Sequence, residues 1–120
     1  MIVYRLGSKT DRNLTPRPGK DTVSAGGKRP GLSVATVHPQ GGVKAQKIDT
    51  DKLVEPLRFF PDDTGEGATA DHGTIAPADE SGSVDMDTLI EWASSRSTAQ
   101  HRLTRTVLEA IVEADVRSTQ

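Results

Sequence analysis

The stretch that most constrains the fold runs from residue 8 to residue 30 and shows no hydrophobic period of a helix or a strand. Its prolines remove backbone donors and fix φ, whereas its glycines relax the backbone. These residues are Pro16, Pro18, Pro30, Gly19, Gly26 and Gly27. A regular element cannot cross such a stretch, so we expect a long loop between two flanking elements. A loop of that length in a small domain is either disordered or functional.

The segments on both sides of this loop have the pattern of β-strands. Apolar side chains alternate over residues 1–6, and residues 32–37 form a short, β-branched, apolar run. Weaker strand signals lie at 43–48, 57–60 and 73–76. The signal at 43–48 is typical of an edge or half-exposed strand. We therefore predict a small, irregular, mostly antiparallel sheet within residues 1–77.

The last third of the chain changes to a helical period. Apolar residues of 86–95 recur at i, i+3, i+4 and i+7 after Asp85, a good N-cap. Ser97 or Thr98 is expected to cap a second helix that continues to about Asp115. Strands first and helices last indicate an α+β fold, in which the helix pair 86–115 covers one face of the sheet. The length, residues 1–120, fits a single domain.

The amino-acid composition predicts a thin core. Leu, Ile, Val and Phe number 8, 5, 10 and 2 among 120 residues, just above the level of roughly 20% at which disorder is expected. A thin core makes a dimer plausible, because association buries apolar surface that the folding of one chain leaves exposed. The chain has no cysteine and no apolar run of 18 residues, and residues 1–6 are too few for the apolar part of a signal peptide. We expect a cytoplasmic protein without a membrane span.

The charge is divided between the two halves of the chain. Residues 1–60 carry 11 Lys and Arg against 5 Asp and Glu, and residues 61–120 carry 4 against 12. The acidic, glycine-containing segment 61–72 is expected to form a second loop. Either the two halves attract each other or one of them meets a charged partner.

The basic loop 8–30 is the main candidate for ligand binding. Its cations are Arg12, Arg17, Lys20, Lys28 and Arg29. An arginine fork suits phosphate, and glycine-rich backbone lets N–H groups approach an anion. We predict Arg17 and Lys20 as ligand-binding residues. The alternatives are that the charges keep a long loop solvated or meet the acidic loop 61–72.

Four residues near the predicted strands complete the candidate site. Arg5 lies mid-strand beside Val3 and would anchor a phosphate or carboxylate, or else face solvent. Ser33 offers a hydroxyl that would position a ligand and take part in the chemistry, or else bond the backbone, and Thr74 is a further ligand-binding candidate. His72 is the natural acid–base candidate near neutral pH, unless it is simply an exposed loop histidine. The three histidines are scattered without the spacing of metal ligands, so no metal is expected.

Several short segments resemble the C-terminal effector modules of bacterial polymorphic toxins, including Rhs-type proteins. They are Val3-Tyr4-Arg5, Leu14 to Asp21, Pro30 to Ser33, Lys44 to Thr50, Asp71 to Pro77, Leu89 to Arg96 and His101 to Thr104. The resemblance implies a toxin that acts in the bacterial cytoplasm and a cognate immunity or antitoxin protein as its partner.

Two of these elements are similar to elements of ADP-ribosyltransferase-like toxins. Those enzymes open with a strand that ends in Tyr-Arg, as Tyr4-Arg5 does, and place a serine-containing strand after a variable loop, as Gly31-Leu32-Ser33 does. The resemblance implies NAD as cofactor, with its phosphates or ribose at Arg5 and its nicotinamide side at Ser33. The family's third element, a strand glutamate, has no counterpart, because Glu66 falls in a predicted loop and Glu91 on a predicted helix. His72 or Thr74 would stand in for it.

These observations favour a toxin-like domain that binds a nucleotide and transfers ADP-ribose to a protein or nucleic-acid target. Two alternatives stay open. One is a metal-independent ribonuclease that uses His72 with Arg17 or Lys20. The other is a non-enzymatic protein whose basic loop and helix pair, with Trp92 or other apolar residues exposed, bind a partner.

Overall fold

A computed structural model describes residues 1–24, 26–62 and 70–117 of the chain. It contains six strands, two α-helices and a short 3₁₀ turn at Thr50–Lys52. The strands are β1 (Ile2–Leu6), β2 (Leu32–Ala35), β3 (Lys44–Asp49), β4 (Leu57–Pro61), β5 (His72–Pro77) and β6 (Ile111–Arg117). The helices are α1 (Met86–Ala93) and α2 (Thr98–Ala110). The predicted α+β class is confirmed.

All six strands belong to one sheet with the order β4-β5-β2-β1-β3-β6. Every neighbouring pair is antiparallel. Strands β1 and β2, which flank the basic loop, lie side by side near the middle of the sheet. The loop therefore leaves and re-enters the sheet at its centre, where its residues reach both faces.

One face of the sheet carries the core. Directly opposite residues of antiparallel strands share a face, so the register groups Val3 with Ile48 and Leu32 with Ile75. Leu89 and Trp92 of α1 and Leu103 and Val107 of α2 join the same buried cluster. The two helices thus cover this face, as the strands-then-helices order predicted.

Both helices begin at the predicted caps. The side chain of Asp85 accepts a hydrogen bond from the Thr88 N–H, and that of Ser97 accepts one from the Gln100 N–H. Trp92 is fully buried, so the expectation of a tryptophan exposed to a partner is wrong. The indole is part of the core, and the exposed apolar side chains of α1 are Met86 and Ile90.

The predicted helix pair 86–115 is too long, because α2 ends at Ala110 and the chain continues as β6. The apolar period of residues 103–114 fits a helix, but Ile111 pairs with Ile48 of β3 instead. Pairing with β3 supplies hydrogen bonds to a β-branched segment that a longer helix would leave exposed. The sheet accordingly extends beyond the predicted limit of residue 77.

The predicted third strand is not an edge strand, because β3 lies between β1 and β6, but three of its six residues are partly exposed. Ala45, Gln46 and Ile48 are buried. Gln46 donates to the carbonyl of Gly7 and to Oδ1 of Asp115, and its Oε1 accepts from the Asp115 N–H. A buried amide with these partners needs no apolar pattern, which is why the sequence signal was weak.

The opposite face of the sheet carries the polar side chains. Tyr4 lies opposite Ala35, Ala35 opposite His72, and Ser33 opposite Thr74. These residues therefore share the face directed away from the helices. The segment 28–31 crosses the β5 end of this face, and a Cβ on Gly31 would stand 2.6 Å from Thr74 Cγ2. Only glycine lets the segment lie this close to β5. The segment therefore covers Thr74 and leaves His72 beside the uncovered part of the face.

One anchor of the basic loop lies on the helix side of the sheet. Leu14, Thr15 and Pro16 are buried. The hydroxyls of Thr15 and Thr104 are 2.6 Å apart, and Thr104 Oγ1 also accepts from the indole N–H of Trp92 at 3.0 Å. The loop is thus tied to both helices through a buried polar contact.

Within the ranges that the structure describes, neither helix is long and apolar enough to cross a membrane.

Candidate functional site

A cleft of about 220 Å³ lies on the outer face of β1, β2 and β5. Three of the predicted site residues, Arg5, Ser33 and His72, line it. The other lining residues are Tyr4, Leu6, Lys28, Val34 and Ala35. The sheet register explains this convergence, because β2 stands between β1 and β5 and carries Ser33 at the junction. We call this the central cleft.

His72, the first residue of β5, is held by a buried carboxylate. Its Nδ1 lies 2.8 Å from Oδ2 of Asp62, and its side chain is 13% exposed, so the alternative of an exposed loop histidine is wrong. Nε2 is buried and has no hydrogen-bond partner within the described residues. A buried polar atom without a partner points to a functional group. Because the ionised carboxylate accepts the proton of Nδ1, Nε2 of the neutral ring carries a free lone pair, as a general base requires.

Asp62 binds His72 from a network of its own. Its side chain is fully buried, and Oδ2 also accepts from the hydroxyl of Thr74 at 2.5 Å. Oδ1 accepts from the backbone N–H and from Nη1 of Arg29, at 3.1 and 3.2 Å. Burial by itself would raise the pKa of Asp62, but the hydrogen bonds from Thr74, Arg29 and His72 outweigh it and hold the pKa below its usual value. The carboxylate of Asp62 is therefore ionised at neutral pH.

The lowered pKa of Asp62 predicts an acid-sensitive fold. A carboxyl whose pKa is lower in the folded state than in the unfolded chain stabilises the protein at pH values above its unfolded pKa. This contribution disappears as the pH falls through the folded pKa. The free energy of unfolding, measured by urea denaturation, should decline on acidification below about pH 4, and Asp62→Asn should flatten that decline. Thr74→Val, which removes one hydrogen bond that lowers the folded pKa, should bring the folded pKa closer to the unfolded value and make the decline smaller. Parallel profiles for all three proteins would contradict the assignment.

Arg5 lines the central cleft, but its side chain leaves the sheet on the face that carries the core. It is two positions from the core residue Val3 in the same strand and lies opposite the buried Gln46, so all three share that face. Its Nε donates to the carbonyl of Asn13 and its Nη1 to the carbonyl of Ser33, both at 2.9 Å. Burial lowers the pKa of Arg5, opposed by the nearby carboxylate of Asp21. Two of its three nitrogens are thus committed to the backbone, and Arg5 fixes the basic loop to β2 at the wall of the cleft.

The remaining predicted residues are distributed around this centre. Thr74 is buried behind His72 and reaches Asp62 rather than the cleft. Arg17 lines a neighbouring cleft of about 510 Å³ together with Arg5, Leu6, Arg12 and Asn13. Lys20 lines another of about 110 Å³, whose walls include Asp21, Lys28, Arg29 and Ser33. Neither Arg17 nor Lys20 lines the central cleft.

Sequence reasoning missed Asp62 and the position of Lys28. Asp62 was one of several carboxylates in the acidic loop 61–72, of which residues 63–69 lie outside the described ranges. The expected attraction between the two loops occurs at this residue, through the Arg29–Asp62 ion pair. One feature of the sequence could have identified Asp62. It directly follows the end of one strand and precedes by ten residues the histidine that begins the next strand. In the described ranges, no group of three or more His, Asp or Glu side chains is placed to hold a metal ion.

The comparisons with known proteins give no further constraint, since no family model, curated protein or solved structure matches this chain.

Proposed function

We propose that this chain is a toxin-like enzyme that binds a nucleotide in the central cleft and transfers ADP-ribose from NAD to an acceptor. The observation that supports this most is the meeting of Arg5, Ser33 and His72, from three separate stretches of sequence, in one cleft. Arg5 and Ser33 are the residues that the resemblance to ADP-ribosyltransferase-like toxins implied. By the same resemblance, the enzyme acts in the bacterial cytoplasm and is held in check by an immunity protein.

The residues of the cleft suit the binding of such a ligand. The Ser33 hydroxyl makes no hydrogen bond among the described residues and is available to the nicotinamide amide or the ribose. Lys28, together with the arginines of the neighbouring cleft, supplies positive charge for the phosphates. Tyr4 and Leu6 provide apolar walls for a planar ring.

His72 is the residue that would move the proton. When NAD is bound, the bond between its ribose C1′ and nicotinamide breaks, nicotinamide leaves with the bonding electron pair, and the acceptor oxygen or nitrogen forms the new bond to C1′. The acceptor's proton goes to Nε2 of His72, and Asp62 stabilises the imidazolium that results. Histidine thereby takes the role of the family's strand glutamate, because Glu113, the glutamate on a described strand, lies on β6 and does not line the central cleft.

Labelled NAD tests the proposal. Purified protein incubated with NAD carrying a label on the adenylate part and with bacterial lysate should transfer the label to macromolecules, whereas a label on nicotinamide should stay in the small-molecule fraction. Isothermal calorimetry of NAD with the protein alone should show binding, because the binding residues belong to this chain. Absence of both transfer and binding would overturn the proposal.

A second candidate function is metal-independent cleavage of RNA, and the Asp62–His72 pair favours it. His72 Nε2 would take the proton of a ribose 2′-hydroxyl, and the 2′-oxygen would attack the adjacent phosphate. The P–O5′ bond would break, leaving a 2′,3′-cyclic phosphate and a 5′-oxygen that takes a proton from water, while Lys28 would stabilise the charge on the phosphate. Cleavage of labelled RNA in the presence of a chelator and without NAD would support this candidate over the first. RNA that stays intact under those conditions would exclude it.

A further inference from the structure

Arg29 belongs to the segment 28–31, which crosses the β5 end of the polar face of the sheet. The preceding residue, Lys28, lines the central cleft. Two residues further on, the N–H of Gly31 donates to the carbonyl of Asp21 at 2.7 Å, which fixes the course of the segment. Arg29 is therefore placed directly beside a residue of the cleft wall.

The guanidinium of Arg29 contacts three consecutive residues at the end of β4. Its Cζ lies 5.5 Å from the centroid of the Phe60 ring, which is a cation–π distance. Its Nη1 donates to the carbonyl of Pro61 and, at 3.2 Å, to Oδ1 of Asp62. The side chain is 47% exposed, yet these contacts hold it in one orientation. They join the segment 28–31 to the residue that binds His72.

The two oxygens of Asp62 are bound by different parts of the chain. Oδ2 accepts from Nδ1 of His72 and from the hydroxyl of Thr74, both on β5. Among the described residues, Oδ1 accepts from Arg29 only, through the backbone N–H and through Nη1. A carboxylate has about four acceptor sites, so these four donors occupy it. Because both oxygens belong to one planar group, a rotation that frees Oδ1 from Arg29 also moves Oδ2 away from His72.

Arg29 also supplies the permanent positive charge that faces this carboxylate. The side chain of Asp62 is fully buried, and Nη1 of Arg29 forms an ion pair with it. Removal of the cation from such a pair leaves a buried charge that is not compensated. The carboxylate would then turn toward water or toward other donors, and either movement would weaken its contact with His72.

We infer that Arg29 is a positioning residue for His72 and that it acts through Asp62. By holding Oδ1 it keeps Oδ2 on Nδ1, so that the neutral ring carries its proton on Nδ1 and its lone pair on Nε2. This inference rests on the proposed function for its effect on catalysis, but not for its effect on the ring. It links the cleft wall to the base, because Lys28 and Arg29 are consecutive residues.

Nuclear magnetic resonance of nitrogen-15-labelled protein, without NAD, measures the state of the ring. Spectra are recorded at a pH of about 8, at which an ordinary histidine is neutral, and the signals of His72 are those that His72→Gln lacks. In the wild-type protein the two ring nitrogens should have well-separated shifts, with the proton on Nδ1. In Arg29→Gln the two shifts should approach each other, because both tautomers are then populated.

Arg58→Gln is the matched control for the ring and for the reaction. Arg58 lies on β4, pairs with Glu55 at 2.8 Å and is 56% exposed, so the variant removes a similar ion pair from the same strand. It should leave the shifts of His72 and the rate of label transfer unchanged. Arg29→Gln should lower that rate by about tenfold and change the KM for NAD by less than about threefold, since Arg29 acts on the base. Arg29→Lys keeps the charge without the fork, so its shifts should be intermediate.

Unchanged shifts of His72 in Arg29→Gln would overturn the inference even if the variant were less stable, because Arg29 would then have a structural role alone. Equal changes in Arg29→Gln and Arg58→Gln would overturn it too, since they would indicate overall charge. If Arg29→Gln does not fold, Arg29→Lys provides the same comparison. Mixed tautomers in Arg29→Gln without label transfer by the wild-type protein would leave this inference standing and remove the proposed transferase function. Label transfer by the wild-type protein with unchanged shifts in Arg29→Gln would do the reverse.

Discussion

Replacing His72 with alanine should lower the rate of label transfer from NAD by about 10²- to 10⁴-fold, the usual contribution of a positioned general base. His72 lines the central cleft and has a buried Nε2 without a hydrogen-bond partner among the described residues, and the described part of the cleft contains no other histidine. NAD binding, measured by calorimetry, should change much less than the rate, because His72 acts on the proton rather than on the phosphates. Added imidazole should restore part of the activity through the open cleft.

His101→Ala is the matched control for this variant. His101 is an exposed histidine of α2 and does not line the central cleft, so its loss should leave the transfer rate unchanged. Asp62→Asn should lower the rate as well, since the amide no longer fixes the proton on Nδ1, and should change its pH profile. Full activity of His72→Ala, with unchanged thermal stability, would exclude the histidine as the base. RNA cleavage can be followed with the same variants.

Replacing Trp92 with alanine should lower the free energy of unfolding by about 3–5 kcal/mol. The side chain is fully buried in the core cluster, and its indole N–H donates to Thr104 Oγ1. The variant therefore creates a cavity and removes one buried hydrogen bond. Urea denaturation followed by far-ultraviolet circular dichroism measures the effect, because the chain has no second tryptophan for fluorescence.

Two variants on the same helix test this explanation. Trp92→Phe keeps most of the apolar volume and loses the N–H, so it should cost about 1–2 kcal/mol. Ile90→Ala removes an apolar side chain that is 50% exposed and should cost less than about 1 kcal/mol. Equal losses for Ile90→Ala and Trp92→Ala would mean that the packing of α1 differs from the structure described here.

Local patterns in the sequence were enough for the first five strands, the helix starts and the fold class. The alternation of residues 1–6 and the caps Asp85 and Ser97 each have a short-range physical cause, and the structure contains the elements that they predict. The end of α2 was not predictable in this way. Residues 107–114 fit a helical stripe, and only pairing with β3, more than 60 positions earlier in the chain, makes Ile111–Arg117 a strand.

The candidate site was predictable in its residue types but not in its pairings. Arg5 was identified as a strand cation, Ser33 as a strand hydroxyl and His72 as an acid–base group near neutral pH. The sheet order brings the three into one cleft. The Asp62 contact depends on where β4 ends relative to β5, which no local period encodes. The backbone partners of Arg5 likewise depend on the path of a loop whose glycines and prolines give little indication of direction.

Thr104 bonds both Thr15 of the basic loop and Trp92 of α1, so the position of the loop depends on the packing of the helices. The loop that presents Arg12 and Arg17 is held both by Thr15, which is buried against the helices, and by Arg5 of the sheet, which donates to the carbonyl of Asn13. Loosening of the helix pair would therefore free the loop at Thr15, while the contacts of Asp62 with His72 and Thr74 kept their geometry. If the proposed function is correct, ligand affinity would then be lost at a lower temperature than the pairing of His72 with Asp62. A protein that binds α1 and α2 would, on the same proposal, weaken ligand binding without contacting the central cleft.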